Sequence, residues 1–334
     1  MNSLPARSVL SAEACRKAAA YSAQHRGIAL IVSVDAQVVF EDYPNEGAPD
    51  RVNDLASGTK SFAGIAAVAA AADGLLALDE PLGGRLAEWR DDPMKSRITI
   101  RHLLQLVSGI EGGKLGRVPD AATALAARIL HPPGGRFAYG SSPFQVFGEV
   151  LRRAVSGRFA DSLAYLEARV LDPIGMRVGS WRRGGDAQPH WASGAALTAR
   201  EWLKFGEFVR NGGRVQGREI VPEVHLAECF RGSTDNPCYG LAWWMNRPAS
   251  DGLRERMHRW TLGVEDLAAD PAIPTDLVYA AGAGKQRLYL SRARGVVVVR
   301  QAGGVMEAMM TGERGGFSDS AFLRMLLSEQ PLNS

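Results

Sequence analysis

Cysteine and histidine are scarce in this chain, and their scarcity argues against a metalloprotein. The 334 residues include 3 cysteines and 6 histidines. Cys15, Cys229 and Cys238 form no Cys-x-x-Cys pair and no Cys/His cluster with the spacing of metal ligands. We therefore predict no metal site. A Cys229–Cys238 disulfide would fit an exported protein, but three buried thiols are the simpler interpretation.

Long basic or apolar runs are also missing. The net charge is +3, and the arginines are scattered without interleaved aromatics, so nucleic-acid binding is not indicated. The alanine-rich residues 61–72 are too few to span a membrane, and residues 1–7 lack the apolar core of a signal peptide. We expect a cytoplasmic location for the chain as it stands, or a periplasmic one if an export signal has been removed.

Several catalytic motifs are absent as well. The chain has no Gly-x-Ser-x-Gly elbow and no His-Glu-x-x-His zinc motif. Its glycine-rich segments at residues 109–114 and 282–285 lack the spacing of a phosphate-binding loop. What remains is an ordinary globular composition, with 46% hydrophobic and 22% charged residues. The length favours one large domain or two interlocked domains.

Strand-like runs occur near both ends of the chain. They cover residues 28–34, 37–43, 277–281, 286–290 and 296–300. Helical segments at residues 11–25 and 318–328 flank them. Because consecutive strands usually pair, these runs predict one antiparallel sheet of about five strands between terminal helices, which is an α/β (α+β) fold.

The middle of the chain has helical periodicity instead. Four helices are predicted at residues 99–107, 143–155, 161–171 and 198–211. Thr198 and Glu201 have the spacing of a capping box at the start of the last one. We therefore predict a mostly helical insertion domain at residues 81–269. It would interrupt a discontinuous α/β domain formed by residues 1–80 and 270–334, with the active site at the interface.

A single Ser-x-x-Lys motif, Ser57 to Lys60, begins the alanine-rich stretch. Residues three apart on a helix are neighbours, so the hydroxyl and the amine can form a nucleophile and its base. The alternative is that Ser57 or Asp54 only caps the helix. A capping box has Glu or Gln where Lys60 stands, because the helix N-terminus carries partial positive charge. That field would also lower the pKa of the lysine, as a base near neutral pH requires.

The surroundings of this motif resemble the serine β-lactamase-like superfamily. That group contains class C β-lactamases, D-alanyl-D-alanine carboxypeptidases, related esterases and 6-aminohexanoate-oligomer hydrolases. The similar segments lie at residues 55–62, 73–82, 98–109, 137–141, 172–176, 197–200 and 239–244. The resemblance covers nearly the whole chain, residues 27–327, and implies a β-lactamase-like fold.

The resemblance implies that Tyr139 and Ser141 form the second motif, Tyr-x-Asn/Ser. The tripeptides beginning at Tyr43 and Tyr289 also fit, but only Tyr139 lies in the insertion, just before a predicted helix. Next to Lys60, its phenol is expected to be stabilised as phenolate and to exchange protons with the serine. The alternative is that Tyr139 packs in the core and Ser141 or its neighbour caps the helix.

The third motif of the family is a Lys-Thr-Gly or His-x-Gly strand, and here it departs from the pattern. The matching segment places Ala280 where relatives have the cation that binds a substrate carboxylate. Lys285 or Arg287 could replace that charge, but we expect these cations to face solvent from the strand.

The backbone of this strand can still serve the reaction. We predict an oxyanion hole made of main-chain N–H groups, those of Ser57 and Ala283, with Gly282 permitting the close approach. Trp243 is a candidate for lining the substrate pocket, although large aromatic side chains are more often core.

These features predict a serine hydrolase that cleaves an ester or amide through a Ser57 acyl-enzyme, with Lys60 and Tyr139 sharing the acid and base roles. The lost cation favours esterase activity on a small-molecule substrate. The alternatives are a penicillin-binding protein or D-alanyl-D-alanine carboxypeptidase, a weak β-lactamase, and a non-catalytic binding protein that retains the fold. No cofactor is implied. The natural substrate, the first base and the oligomeric state stay open.

Overall fold

A six-stranded antiparallel sheet joins the two ends of the chain. The computed structural model describes residues 10–114, 116–260, 265–305, 307 and 316–327. The sheet has the order β2-β1-β11-β10-β9-β8. Its strands are β1 (Gly27–Val34), β2 (Gln37–Asp42), β8 (Trp244–Met245), β9 (Val278–Gly282), β10 (Gln286–Ser291) and β11 (Val296–Ala302). The five predicted strands and the fold class are thus confirmed, and β8 adds a sixth strand at one edge.

Helices cover the sheet. The first and last described helices, α1 (Ala12–Gln24) and α10 (Asp319–Leu327), pack against each other, and α1 also contacts β1. Another helix, α7 (Ala199–Arg210), packs against β11, β10 and β1. Covered strands need no alternation of polar and apolar residues, and every residue of β11 is buried.

Helix α2 (Lys60–Ala72) lies in the core of the helical region. Its residues from Lys60 to Ala70 are all buried, and it packs against α5 (Ser142–Val155) and α8 (Glu223–Leu226). A helix that is apolar all round must be enclosed by other elements, and the small alanine side chains let neighbouring helices approach closely. The enclosure explains how a lysine at its first turn comes to be buried.

The remaining short elements connect these parts. The other helices are α3 (Ile100–Leu104), α4 (Ala121–Ala126), α6 (Ser162–Leu166) and α9 (Asp251–Trp260). A small sheet contains β3 (Asn53–Asp54), β4 (Ser180–Trp181) and β5 (Ala195–Leu197), and a hairpin contains β6 (Arg214–Val215) and β7 (Arg218–Glu219). Within the described ranges, none of the helices has the length and apolar character needed to cross a bilayer.

Two helix predictions need correction. The single helix predicted at residues 161–171 ends as α6 at Leu166 and continues as a π-helical turn over Glu167–Leu171. The capping box predicted at Thr198 is only half formed. Thr198 Oγ1 accepts from the Glu201 N–H at 3.2 Å, whereas the Glu201 carboxylate accepts from the Arg177 N–H at 2.7 Å. A tertiary contact thus takes the acceptor that a local capping box would use.

The domain division at residues 80 and 270 stays a prediction. Two elements from the predicted insertion, α7 and β8, pack on or belong to the main sheet. Cys15, Cys229 and Cys238 are buried and form no disulfide.

Candidate active site

Ser57 lies in a 3-10 turn, Ala56–Thr59, that leads directly into α2. Asp54 Oδ1 accepts from the Ala56 N–H at 2.7 Å, and the Gly58 N–H donates to Leu55 O at 2.9 Å. The N-cap position of α2 is Thr59, so Ser57 does not cap that helix. Ala56 has a φ of 46°, a left-handed conformation that a residue with a side chain rarely adopts. Backbone strain of this kind is characteristic of functional turns.

Lys60 is held against the Ser57 hydroxyl. Its Nζ lies 3.1 Å from Ser57 Oγ and donates to Ala192 O at 2.8 Å. The side chain is buried, with Nζ above the rings of Tyr139, 4.9 Å from the centroid, and Phe144, 5.3 Å from the centroid. Within the described ranges no ion pair with Lys60 is formed. Burial lowers the pKa of Lys60 to about 7, because the ammonium loses its hydration there.

The pKa of Lys60 is therefore lowered as the sequence predicts, but mainly for another physical reason. The prediction relied on the positive end of a helix, whereas the dominant cause is burial. With its pKa lowered to about 7, the Lys60 amine is available in its neutral form near neutral pH, and a neutral amine can accept a proton.

The carbonyl of Ala192 is a partner that the sequence does not reveal, since any residue carries such a group. The segment around it is fixed by three hydrogen bonds. Ala195 N–H donates to Thr59 Oγ1 at 3.1 Å, Leu55 N–H donates to Ala195 O at 3.0 Å, and Trp191 N–H donates to Gln145 Oε1 at 2.8 Å. The first two bonds tie the segment that carries the acceptor of Lys60 to the turn around Ser57, and the third ties it to α5.

Tyr139 lies on the loop that precedes α5. The Ala138 N–H donates to Leu106 O at 2.8 Å, and the Ser141 N–H donates to Gly112 O at 2.7 Å. Ser141 is at the N-cap position of α5, but its side chain makes no capping hydrogen bond. Its hydroxyl is therefore not used to cap the helix, contrary to the structural alternative.

The other two Tyr-x-Asn/Ser tripeptides lie elsewhere. The Tyr43 hydroxyl donates to Glu41 on β2, and the Tyr289 hydroxyl donates to Asp319 on α10. Of the three candidates, Tyr139 is thus the tyrosine whose ring faces Lys60.

The protonation state of Tyr139 differs from the prediction. Burial raises its pKa to about 12, although a hydrogen bond with Ser57 and the charge of Arg287 act in the opposite direction. The expectation of a phenolate is wrong, because the loss of hydration on burial outweighs the two effects that would stabilise the charged form. At neutral pH the group beside Ser57 is a phenol that can donate a proton.

The end of β9 lies directly against the nucleophile turn. A Cβ atom on Gly282 would come 2.0 Å from Leu55 O and 3.1 Å from the Gly58 nitrogen. The next residue, Ala283, packs with Ala56 in a small separate hydrophobic cluster. The structure therefore brings Gly282 and Ala283 to the backbone around Ser57. Ala280, 1% exposed, pairs with Leu288 on β10.

Lys285 and Arg287 do not face solvent, contrary to our expectation. Their exposed fractions are 7% and 1%. Arg287 forms two hydrogen bonds with the Asp319 carboxylate, from Nε to Oδ1 at 2.5 Å and from Nη2 to Oδ2 at 3.0 Å. Lys285 Nζ donates to Asp319 Oδ2 at 2.7 Å. The reason is that α10 covers this side of the strand and supplies a buried counter-charge.

Trp243 is not a pocket residue. It is fully buried and packs against Phe205 and Phe230, with ring centroids 5.9 Å away in both pairs. Its neighbour Trp244 stacks instead on Tyr139, with centroids 6.4 Å apart and planes at 23°. Trp243 immediately precedes β8, which begins at Trp244, and the two side chains pack against different rings. Trp244 rather than Trp243 therefore contacts Tyr139.

The described residues contain no group of three His, Cys, Asp or Glu side chains arranged as metal ligands. The site brings together the Ser57 hydroxyl, the buried Lys60 amine and the Tyr139 phenol. A hydroxyl next to groups that can accept and donate protons is an arrangement that can support nucleophilic catalysis.

The chain is similar to several known proteins. Protein flp of Staphylococcus aureus (strain MRSA252) is 24% identical over 164 residues, covering 46% of this chain but only 32% of that protein. A putative 6-aminohexanoate-dimer hydrolase from Bacillus anthracis superposes with a TM-score of 0.64 at 16% identity, over 86% of this chain and 77% of that one. EstCE1, a hydrolase with promiscuous acyltransferase activity, gives a TM-score of 0.64 at 15% identity, over 90% and 97%.

At such identities the two structural likenesses show the fold alone, and the flp protein extends far beyond the matched part. The family assignment rests on a broader match. The model of the β-lactamase family matches residues 13–304, which include the nucleophile turn, the tyrosine loop and the Gly282 strand. The chain therefore belongs to the β-lactamase family.

Proposed function

We propose that this protein is a serine hydrolase that cleaves an ester or amide through an acyl-enzyme on Ser57. Members of its family are typically hydrolases. The observation that carries the proposal is the buried Lys60 amine, 3.1 Å from Ser57 Oγ, with its pKa lowered to about 7. A serine hydroxyl is a weak nucleophile unless a neighbouring base takes its proton.

The protonation states suggest a division of roles. Neutral Lys60 takes the proton from Ser57 as the oxygen attacks the carbonyl carbon. The Tyr139 phenol, with a pKa of about 12, gives its proton to the leaving group and receives the Lys60 proton in turn. Water then attacks the acyl-enzyme, and the same groups return its proton to Ser57.

Backbone N–H groups are proposed to stabilise the oxyanion. The proposed donors are the N–H groups of Ser57 and Ala283. The N–H groups on either side of Ser57, those of Ala56 and Gly58, donate to Asp54 Oδ1 and Leu55 O. Ala283 begins a 3-10 turn, and the first N–H groups of a helical turn have no partner within that turn. Such donors, fixed before the reaction, stabilise the charge that develops on the carbonyl oxygen.

An ester is the favoured substrate class. Ala280 is apolar and buried, so its side chain cannot bind a substrate carboxylate. Lys285 and Arg287 are engaged with Asp319. A site without a free cation at this strand suits an uncharged acyl ester better than a peptide with a terminal carboxylate.

The test is intact-protein mass spectrometry after exposure to a fluorophosphonate and, separately, to a β-lactam. We expect one fluorophosphonate adduct on the wild type and on Ser61→Ala, and none on Ser57→Ala. Ser61 is a matched control because it is a buried serine one turn away, whose hydroxyl donates to Gly58 O at 2.8 Å.

Turnover of p-nitrophenyl acetate, together with no long-lived β-lactam adduct, would support the esterase. A long-lived β-lactam adduct would favour the penicillin-binding alternative. If neither reagent gives a Ser57-dependent adduct, the proposal is wrong and a non-catalytic binding role becomes the better explanation.

A further inference from the structure

A buried ionic cluster lies behind the strand that carries the proposed oxyanion donor. It contains the buried Lys285, Arg287 and Asp319, of which Asp319 is only 2% exposed, together with the partly exposed Glu265. The mechanism proposed above uses none of these side chains. Buried charges are costly unless they are fully paired, so their position directly beside the site calls for a physical explanation.

The guanidinium of Arg287 reaches in two directions. Its Nε and Nη2 atoms bind the Asp319 carboxylate, and its Nη1 donates to Gly282 O at 3.1 Å and to Gln286 O at 3.0 Å. A planar guanidinium has five N–H donors in fixed directions, so the carboxylate on one side determines where Nη1 points. Asp319 thereby holds Nη1 of Arg287 toward the carbonyl of Gly282, the last residue of β9.

That carbonyl is linked rigidly to the proposed oxyanion donor. The C=O of Gly282 and the N–H of Ala283 belong to one peptide unit, which is planar and trans. The two groups point in opposite directions, so fixing the carbonyl toward Arg287 fixes the N–H away from it. A charged donor on the carbonyl also polarises the peptide, which strengthens the hydrogen bond that its N–H donates.

A second buried arginine holds the other end of the same turn. Arg300, 0% exposed, donates from Nη1 to Lys285 O at 2.7 Å. It also binds Ser22 Oγ from Nε at 3.0 Å and His25 O from Nη2 at 2.6 Å. Arg300 therefore supports the turn without touching the Gly282–Ala283 peptide.

We propose that Arg287, aimed by Asp319, is a positioning residue that orients and polarises the Gly282–Ala283 peptide so that the Ala283 N–H serves as an oxyanion donor. The proposal rests on the proposed function. It also gives the buried cation a role other than the carboxylate binding that the resemblance implies for the cation of relatives at the position of Ala280. The charge acts through a peptide unit rather than on the substrate.

The test compares an ester with its thionoester, in which sulfur replaces the carbonyl oxygen and accepts hydrogen bonds more weakly. Arg287→Lys keeps the charge but cannot bind Asp319 and Gly282 with the same fork. Deleting an oxyanion donor outright costs ~10²–10³ in kcat, so we expect Arg287→Lys to lower kcat on the ester by about 10-fold to 100-fold. The loss on the thionoester should be clearly smaller, and KM should change by no more than about twofold.

Arg300→Lys is the matched control, since it alters the other buried arginine of the turn. Rates are normalised to the fluorophosphonate-reactive fraction, which removes any effect of misfolded protein. The ratio compared is kcat on the ester divided by kcat on the thionoester. We expect Arg300→Lys to keep the wild-type ratio. We expect folded Arg287→Met to have a lower ratio than Arg287→Lys.

An unchanged ratio in Arg287→Lys, with wild-type protein labelled on Ser57, would overturn this inference and leave the hydrolase proposal intact. Equal losses of the ratio in both lysine variants would also overturn it, because they would indicate a general effect on the turn. If wild-type Ser57 is not labelled, the proposed function is wrong. The role inferred for Arg287 is then wrong as well, because it depends on that function.

Discussion

Lys60 is the residue at which we expect burial to set the pH dependence of the proposed activity. Its Nζ has hydrogen-bond partners in Ser57 and Ala192 but no ion pair within the described part of the chain, and burial lowers its pKa to about 7. As a base it must be neutral. We therefore expect kcat/KM for p-nitrophenyl acetate to rise with pH through about 7 and then to level off.

Replacing Lys60 by Met should remove that rise and lower kcat/KM by about 10²–10⁴, the usual contribution of a general base. The pH dependence of stability provides a second measurement. The pKa of Lys60 is about 7 in the folded protein, and its ordinary value is 10.5. Between these pH values the unfolded chain binds more protons than the folded protein, so wild-type stability increases with pH. Lys60→Met should lose this slope in urea unfolding measured at pH 7 and 9. An acid limb near pH 7 that persists in Lys60→Met would contradict the assignment.

At the scale of elements, the important contact is between β9 and the turn that carries Ser57. Gly282 faces Leu55 O so closely that a Cβ would come within 2.0 Å. Backbone groups cannot give way as a flexible side chain can, so one of the two elements must shift if a methyl group is added.

We expect Gly282→Ala to cost about 1–3 kcal/mol in the free energy of unfolding and to slow fluorophosphonate labelling of Ser57. Urea unfolding and labelling kinetics measure the two effects. Gly84→Ala is the matched control, because a Cβ there meets no atom within 4 Å, and such substitutions usually change stability by less than ~0.5 kcal/mol. If Gly282→Ala is labelled at the wild-type rate, the contact between Gly282 and Leu55 does not position Ser57.

At the scale of the whole molecule, the sheet joins the two ends of the chain, and α10 closes it with a buried carboxylate. Arg287 and Lys285 hold the pKa of Asp319 well below its ordinary value of 3.8, against the opposing effect of burial. A carboxylate with a lowered pKa contributes stability that is present above pH 3.8 and is lost as the pH falls toward the folded value.

Asp319→Asn should lower the free energy of unfolding at pH 7 by about 3 kcal/mol, because it leaves buried cations without their partner. The difference between wild type and variant should shrink between pH 4 and pH 2.5. Urea titrations at these pH values provide the measurement. Glu13→Gln is a suitable comparison, since its ion pair with Lys17 is exposed, with 60% of the Glu13 side chain accessible, and should matter little. A difference that stays constant over this pH range would rule out the ion-pair explanation.

The sequence by itself determined the features that depend on neighbouring residues. The proximity of Ser57 and Lys60 follows from three-residue spacing on a helical turn, and the five predicted strands follow from short runs of β-branched residues. The loop before a proline-containing helix start favoured Tyr139 among three similar tripeptides, and it is the Tyr139 ring that faces Lys60. Each of these is local, because the pattern and the structure it specifies lie within a few residues of each other.

Tertiary structure alone decided the electrostatics and the supporting contacts. The lowered pKa of Lys60, the protonated Tyr139 and the buried position of Arg287 result from elements far apart in sequence packing around these groups. The loss of hydration at a charged group depends on everything that surrounds it. For the same reason the sequence could propose Lys60 and Tyr139 as the groups that exchange protons but not their protonation states, which depend on the packing around them.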